Sequence, residues 1–149
     1  MTALQQYLTA IIAVFSLSIN AQVYVQDFSG GNNLPPGWVS ITQAGFDFVS
    51  VFDGEANMFK QSSGSEVLLI GTESLDLSNY TKWEVDLYAF NLAFNSDTKP
   101  DIYFGVLTNP NDINSFQAFH VEHVTNQDPQ TYEVFIGGIT GQGHLALLM

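Results

Sequence analysis

The sequence predicts an all-β fold, a two-sheet antiparallel sandwich of the jelly-roll type. After residue 22, β-branched and aromatic residues occur in short runs that Gly, Pro, Asn and Asp interrupt, as in strands joined by turns. Between residues 83 and 87, apolar residues alternate with acidic ones, which is the period of a strand with one buried face. About ten such runs at short spacing are typical of sandwiches, and a helical period is hard to find.

Residues 1–21 have the pattern of a secretory signal peptide. An apolar core runs from Leu8 to Ile19, too short to span a bilayer comfortably, and we expect cleavage after Ala21. Because the n-region holds no Lys or Arg, the alternative is an amphipathic helix buried in the domain. The mature chain is then residues 22–149, one domain by its length. We predict a secreted protein that does not insert into the membrane after the signal is removed.

The remaining runs predict the order of the strands. Asp53-Gly54 follows an apolar and aromatic run, and this dipeptide is a common tight hairpin turn. A loop rich in Gly, Asn and Pro separates the first two strands, because these residues supply positive φ and remove backbone donors. The predicted strands are residues 23–28, 46–52, 58–61, 66–70, 83–90, 102–106, 116–124, 132–136 and 144–149.

Charge and composition exclude several classes of function. The chain has 15 acidic side chains against three basic ones, and its net charge is −12. Phosphate binding needs clustered Lys and Arg, so we expect neither a nucleic-acid partner nor an anionic membrane surface. The absence of cysteine excludes disulfides, thiol nucleophiles and Cys-ligated metals. The acidity fits an extracellular module that binds calcium or neutral glycans.

No constellation of residues in the sequence indicates an enzyme. The Gly-x-Ser-x-Gly motif of hydrolases is missing. Glu84 and Asp86 share a strand face, as a glycosidase pair would, but this is the polar face of an amphipathic strand, where solvated carboxylates are expected. His120 and Glu122 share a face too, without an evident third metal ligand, so His120 and His123 are most simply ordinary strand histidines. We therefore predict no catalytic activity.

Oxygen-rich turns predict a structural calcium site. Asp27 precedes a Gly-Gly-Asn-Asn loop, and a later segment places Asp53, Glu55 and Asn57 within five residues. Calcium takes six to eight oxygens from carboxylates, carbonyls and amides, commonly in loops, although neither segment has EF-hand spacing. The alternative is a pair of solvated turns without a metal.

Aromatic residues near turns predict a binding surface for a glycan or a protein. Trp38 follows a Pro-Pro-Gly loop, Tyr80 and Trp83 flank another turn, and Tyr88 lies on the strand that continues from Trp83. Exposed aromatic rings stack on sugars and mark contact surfaces. The alternative for Trp38 is an anchor in the core, and the alternative for Tyr88 is the second side of a fully buried strand.

Four short motifs occur in a fixed order over residues 27–147. They are Asp27-Phe28 with Leu34-Pro35-Pro36-Gly37-Trp38, Leu75-Asp76-Leu77-Ser78, Thr108-Asn109-Pro110-Asn111-Asp112, and Thr140-Gly141-Gln142-Gly143. In these motifs the chain resembles the cleaved-adhesin and choice-of-anchor J group of bacterial modules, which are relatives of the MAM-type jelly rolls. The resemblance covers nearly the whole mature chain and is more specific for the fold than for the ligand.

The resemblance implies a non-catalytic adhesion or carbohydrate-binding module of a secreted or cell-surface bacterial protein, in a group often exported by type IX secretion. Similar modules often carry structural calcium near the first strand, which favours Asp27. The family pattern usually continues into one more acidic strand, so we expect the chain to lack its closing strand and to leave a sheet edge open. The alternatives are an accessory domain of a secreted protease or glycoside hydrolase whose catalytic part is absent, and a structural spacer.

Overall fold

The computed structural model of the protein describes residues 24–26, 28–43, 48–59, 67–87, 101–124 and 129–149. All strand pairs in these residues are antiparallel, and the only helices are two single 3-10 turns. The predicted all-β, sandwich-like fold is therefore confirmed, while the jelly-roll connectivity stays a prediction. The predicted signal peptide lies outside the described residues. No helix among the described residues is long and apolar enough to cross a membrane.

Ten strands make up this part of the chain. They are β1 (Val39–Thr42), β2 (Phe48–Phe52), β3 (Glu55–Phe59), β4 (Leu68–Gly71), β5 (Leu75–Asp76), β6 (Lys82–Leu87), β7 (Asp101–Leu107), β8 (Phe116–His123), β9 (Gln130–Phe135) and β10 (Gln142–Leu148). The 3-10 turns are Leu77–Asn79 and Ile113–Ser115. Each begins after an aspartate whose carboxylate accepts a hydrogen bond from a backbone N–H inside the turn, which is the usual way to cap a helical turn.

The main sheet has the strand order β1-β4-β10-β7-β8, and β5 pairs with the first residues of β10. The last strand in the sequence is therefore central, with β4 on one side and β7 on the other. Five consecutive residues of β10, from Gly143 to Leu147, are buried. A strand that is buried on both faces reads as a continuous apolar run, which is how residues 144–149 read in the sequence.

A second layer covers one face of the main sheet. It consists of the β2–β3 hairpin and the β6–β9 pair, which contribute Val49, Met58, Trp83 and other partly buried side chains to the central cluster. Phe104, which is 0% exposed, lies in this cluster, and the Trp83 ring meets it edge-on at 5.2 Å between centroids. The buried members of the cluster are Ile70, Ile102, Phe104, Val124, Val134 and Leu147.

The predicted first strand, residues 23–28, is wrong over its described residues, because 24–26 and 28 pair with no strand. Phe28 has a φ of 55°, and this left-handed conformation ends an extended run. The segment is held by side chains instead. The Trp38 indole N–H donates to the Tyr24 hydroxyl at 3.0 Å, and the Phe28 ring meets the Trp38 ring edge-on at 4.9 Å.

A β-bulge interrupts the pairing of β7 with β8. Phe104 pairs with His120, but Gly105 pairs with Ala118, so the register shifts between Phe104 and Gly105. The ring of Phe116 lies over Gly105. A Cβ at this position would come within 2.5 Å of that ring and of the Gln117 carbonyl oxygen, closer than real Cβ contacts. The bulge therefore requires glycine at this position.

We expect Gly105→Ala to lower the free energy of unfolding by about 2 kcal/mol or more, because the added methyl group displaces the Phe116 ring or the backbone of β8. Gly30→Ala is the matched control, since a Cβ there would have no neighbour within 4 Å, and we expect a change below about 1 kcal/mol. Urea unfolding of both variants measures the difference. Equal effects would show that the close approach at Gly105 is not a constraint.

Burial raises the pKa of the Tyr24 hydroxyl, partly opposed by the hydrogen bond from Trp38. A raised pKa in the folded state means that folding favours the protonated hydroxyl. The contribution of Tyr24 to the free energy of unfolding is therefore present below pH 10, and it is lost as the pH rises through the folded-state pKa. We expect Tyr24→Phe to cost about 1 kcal/mol at pH 8 through the lost hydrogen bond. The variant should also lose less stability than the wild type between pH 8 and pH 11, and parallel urea titrations of both proteins test this.

Candidate functional site

Three of the four predicted ligand-binding aromatic residues pack against the core. Trp38 and Trp83 lie against the central cluster, and Tyr80 lies with Trp83 against a second cluster. The buried members of that cluster are Leu75, Leu77, Val106, Ile136 and Leu145. All three are partly buried. The core-anchor alternative for Trp38 thus describes its packing, and a ligand-binding role for all three residues stays a prediction. Tyr88 lies outside the described residues.

The β2–β3 hairpin exposes two aromatic rings to solvent. Phe52 is 70% exposed and Phe48 is 49% exposed. Because strand side chains alternate, these two rings share the solvent face of β2, while Val49 and Val51 turn toward the interior. The rings stand four residues apart, roughly 13 Å along the strand.

Cross-strand pairs arrange this solvent face in three rows, which together we call the hairpin platform. Its members are Phe48 with Phe59, Ser50 with Asn57, and Phe52 with Glu55. The rings of the first row are stacked, with centroids 5.0 Å apart and planes inclined by 26°. In the middle row stand a hydroxyl and an amide, and the Asn57 amide also donates to the Glu55 carbonyl at 3.3 Å. The platform therefore alternates aromatic, polar and aromatic groups.

The sequence predicts this hairpin but does not reveal its platform. The run from Phe48 to Phe52 has large apolar residues at four of its five positions, so alternation alone does not tell which set faces the core. The available signal was Ser50 between the two phenylalanines, since a polar residue marks the solvent side of a half-buried strand.

The turn of the hairpin is a type I′ turn. Phe52 pairs with Glu55, which leaves a loop of two residues, and both have positive φ, 53° at Asp53 and 80° at Gly54. Asp-Gly is a preferred sequence for this turn, because aspartate tolerates the left-handed conformation and glycine adopts it freely. The twist of this turn matches the twist of the strands, so the dipeptide sets the register of the platform.

A cleft of about 400 Å³ separates this turn from the loop that follows Phe28. Its lining residues are Phe28, Ser29, Gly31, Asn32, Asp53 and Gly54. The cleft therefore brings together the two oxygen-rich segments that were predicted to bind calcium. These segments are more than twenty residues apart in the sequence. Two of the lining residues, Phe28 and Asp53, have positive φ without being glycine.

The described residues of the cleft do not form a complete calcium site. Asp53 supplies one carboxylate and Asn32 an amide, whereas Glu55 and Asn57 lie along β3 and do not line the cleft. Calcium requires six to eight oxygens, and within the described ranges no three His, Asp or Glu side chains are close enough to share a metal ion. Asp27 lies outside the described residues. The calcium site stays a prediction.

The paired carboxylates on β6 lie in a surface network. Lys82 contacts Glu84 at 3.2 Å and Glu133 at 3.0 Å, and its hydrogen bonds to Glu133 and Glu84 raise the pKa of the Lys82 ammonium. Asp86 accepts a hydrogen bond from the Thr131 hydroxyl at 2.6 Å. All these side chains are exposed. The arrangement is that of a solvated polar face.

The histidines of β8 form two separate pairs with carboxylates. His120 lies 2.6 Å from Glu122 on the side of the sheet that carries Phe104. His123 lies 2.6 Å from Asp101, its cross-strand partner on β7. The predicted common face of His120 and Glu122 is therefore confirmed, and the two histidines belong to different pairs.

A second exposed apolar surface lies on β7 and β8. Tyr103 and Val121 are cross-strand partners, exposed by 38% and 50%, and the bulge residue Phe119 is exposed by 37%. We call these three residues the β7–β8 patch. In contrast to the hairpin platform, it has no hydroxyl or amide side chain between its members.

Comparison of the chain with protein-family models, with curated proteins and with solved structures found no match in any of the three. The function therefore has to be inferred from the geometry of the platform and the cleft.

Proposed function

We propose that the protein is a non-catalytic extracellular module that binds carbohydrate on the hairpin platform. The observation that carries the proposal is the exposure of Phe48 and Phe52 on one strand face with Ser50 and Asn57 between them. The predicted signal peptide supports secretion, and the resemblance to bacterial surface modules supports a location outside the cell or on its surface.

The chemistry of the platform fits a sugar chain. Sugar rings present apolar C–H faces and polar hydroxyl edges, so they stack on aromatic rings and bond to hydroxyl and amide groups. The stacked Phe48 and Phe59 rings fix one stacking surface, and Phe52 provides another farther along the strand. Rings that are held on paired strands lose little conformational entropy on binding, which favours affinity.

A different observation favours adhesion through protein contact as the second candidate. The β7–β8 patch is largely apolar, with the Tyr103 hydroxyl as its one polar side-chain group, and exposed apolar patches of this kind mark protein contacts. Its neighbours His123 and Asp101 form an exposed hydrogen-bonded pair, and polar residues of this kind commonly form the rim around the core of an interface. Under this proposal the partner is a host or cell-surface protein.

We expect the double variant Phe48→Ala/Phe52→Ala to weaken polysaccharide binding by roughly tenfold or more, because each stacked ring contributes about 1 kcal/mol. Native gel electrophoresis of the full chain in gels with soluble hydroxyethyl cellulose, galactomannan or β-1,3-glucan measures the retardation. Phe135→Ala is the matched control, since Phe135 is 76% exposed but lies on β9.

Three outcomes would contradict the platform as the binding surface. Binding of the double variant as tight as that of the wild type would show that the two rings make no contact with the sugar. An equal loss in Phe135→Ala would show that any exposed ring matters. If none of the polysaccharides retards the wild type, the protein-contact candidate or a structural spacer takes precedence. Thermal unfolding of each variant controls for folding.

As a separate proposal, the cleft binds a calcium ion. The proposal rests on the position of Asp53, which lines the cleft together with the loop after Phe28. If calcium binds there, it raises the melting temperature of the full chain relative to excess chelator, because only the native state forms the site. Asp53→Asn removes the carboxylate and keeps the type I′ turn, so it should abolish the rise. A rise that survives this substitution places the ion elsewhere, and no rise excludes the site.

An accessory domain of a secreted protease or glycoside hydrolase would use the same platform, to hold the catalytic part on its substrate. This alternative differs from the first proposal in the protein to which the module belongs and not in the chemistry of the surface. A structural spacer, in contrast, needs no exposed aromatic platform, so polysaccharide binding that depends on Phe48 and Phe52 argues against it.

A further inference from the structure

We infer that the cleft beside the hairpin turn is a second carbohydrate subsite, and that one oligosaccharide chain occupies the platform and the cleft together. The inference rests on the proposed function, since it extends the same binding surface past Phe52. It assigns direct contact with sugar hydroxyl groups to Asp53 and Asn32. It also makes an oligosaccharide, and not a single sugar, the ligand that the module recognises.

The cleft begins where the platform ends. Phe52 is the last residue of β2 and a member of the platform, and Asp53, the next residue, lines the cleft. The Cα atoms of consecutive residues are about 3.8 Å apart, so the cleft lies next to a sugar that stacks on Phe52. The loop after Phe28 lines the cleft opposite the turn.

The cleft has the size and the accessibility of a site for a small ligand, such as one or two sugar rings. Its volume of about 400 Å³ is near the lower end of the range for small-molecule sites, roughly 300–1,000 Å³. Gly31 and Gly54 belong to its lining, and a Cβ at either position would have no neighbour within 4 Å. The backbone at these glycines therefore borders open space, and a ligand can approach it closely.

The lining carries groups that bind the polar edge of a sugar. Asp53 presents a carboxylate, which accepts hydrogen bonds from hydroxyl groups, and Asn32 presents an amide, which donates and accepts them. Both residues are exposed. Phe28 adds an apolar surface, and its ring lies edge-on to the Trp38 ring with centroids 4.9 Å apart. A few placed polar groups beside an aromatic ring are typical of ligand sites.

The platform and the cleft contribute different interactions to binding. The platform offers stacking rings with a hydroxyl and an amide between them, whereas the cleft offers a carboxylate and an amide beside one ring. A hydrogen bond to a carboxylate is roughly twice as strong as one between neutral groups. A chain that spans both surfaces gains from both, and it loses its translational and rotational freedom only once. Affinity therefore increases with the length of the oligosaccharide.

The turn allows the polar groups of the cleft to be removed while the hairpin keeps its register. Asn32→Ala/Asp53→Gly removes both side chains, and Gly-Gly is an accepted sequence for a type I′ turn. Asn33→Ala/Glu84→Ala is the matched control, because it removes an amide and a carboxylate from exposed residues that do not line the cleft. Asn32→Ala alone leaves the turn unchanged, so it provides the test if the double variant does not fold.

The experiment titrates the full chain, in excess chelator, with the disaccharide and the hexasaccharide of the polysaccharide that retards the wild type most. Calorimetry gives affinity and stoichiometry. We expect one hexasaccharide per chain, bound at least roughly tenfold more tightly than the disaccharide. Because hydrogen bonds are lost, affinity for the hexasaccharide should fall roughly tenfold in Asn32→Ala/Asp53→Gly and roughly threefold in Asn32→Ala. The control should change it by less than about twofold.

The outcomes separate this inference from the proposed function. Wild-type affinity in both cleft variants overturns the subsite and leaves the platform proposal in place. Two hexasaccharides per chain would show that the platform and the cleft are separate sites, and this also overturns the inference, as does an equal loss in the control. Binding only in the presence of calcium assigns the contact to the ion instead of Asp53 and Asn32. If neither oligosaccharide is bound with chelator or with calcium, the proposed function fails first.

Discussion

The pairing of β10 with β4 and β7 is the constraint on which the rest of the fold depends. This strand is the last in the chain, yet it lies in the middle of the main sheet, and it is buried on both faces. Leu147 belongs to the central cluster, whereas Ala146 belongs to the cluster with Leu69 on the opposite face. Its backbone partners come from distant parts of the sequence, so the main sheet depends on long-range pairing.

The packing of the two layers decides which aromatic residues remain available to a ligand. Trp38 and Trp83 are the largest side chains of the chain, and their partial burial favours folding, since the hydrophobic effect scales with apolar area. They join the layers to the central cluster. The phenylalanines of the hairpin remain outside because Val49 and Val51 already fill the inner side of β2. The rings of the proposed platform are therefore among those that the core does not accommodate.

The hairpin turn shows how one dipeptide can serve several roles. Asp53-Gly54 sets the register of β2 and β3 through its positive φ angles, and so aligns Phe48 with Phe59 and Ser50 with Asn57. The Asp53 carboxylate also lines the cleft and brings negative charge next to Phe52. The backbone conformation and the side-chain charge of this residue are independent, since asparagine adopts the same turn conformation without carrying a charge. The turn conformation and the charge at this position can therefore be tested separately.

The sequence by itself determined what depends on near neighbours, namely the strand period over residues 83–87, the type of turn at Asp53-Gly54, and the all-β class. Only the tertiary structure decided which face of β2 turns inward, because valine and phenylalanine are both apolar. It also decided that the segment from Tyr24 is held by Trp38 instead of by a sheet, and that Asp53 meets the loop after Phe28. These features arise from contacts between distant residues, and local pattern carries no information about which distant residues will meet.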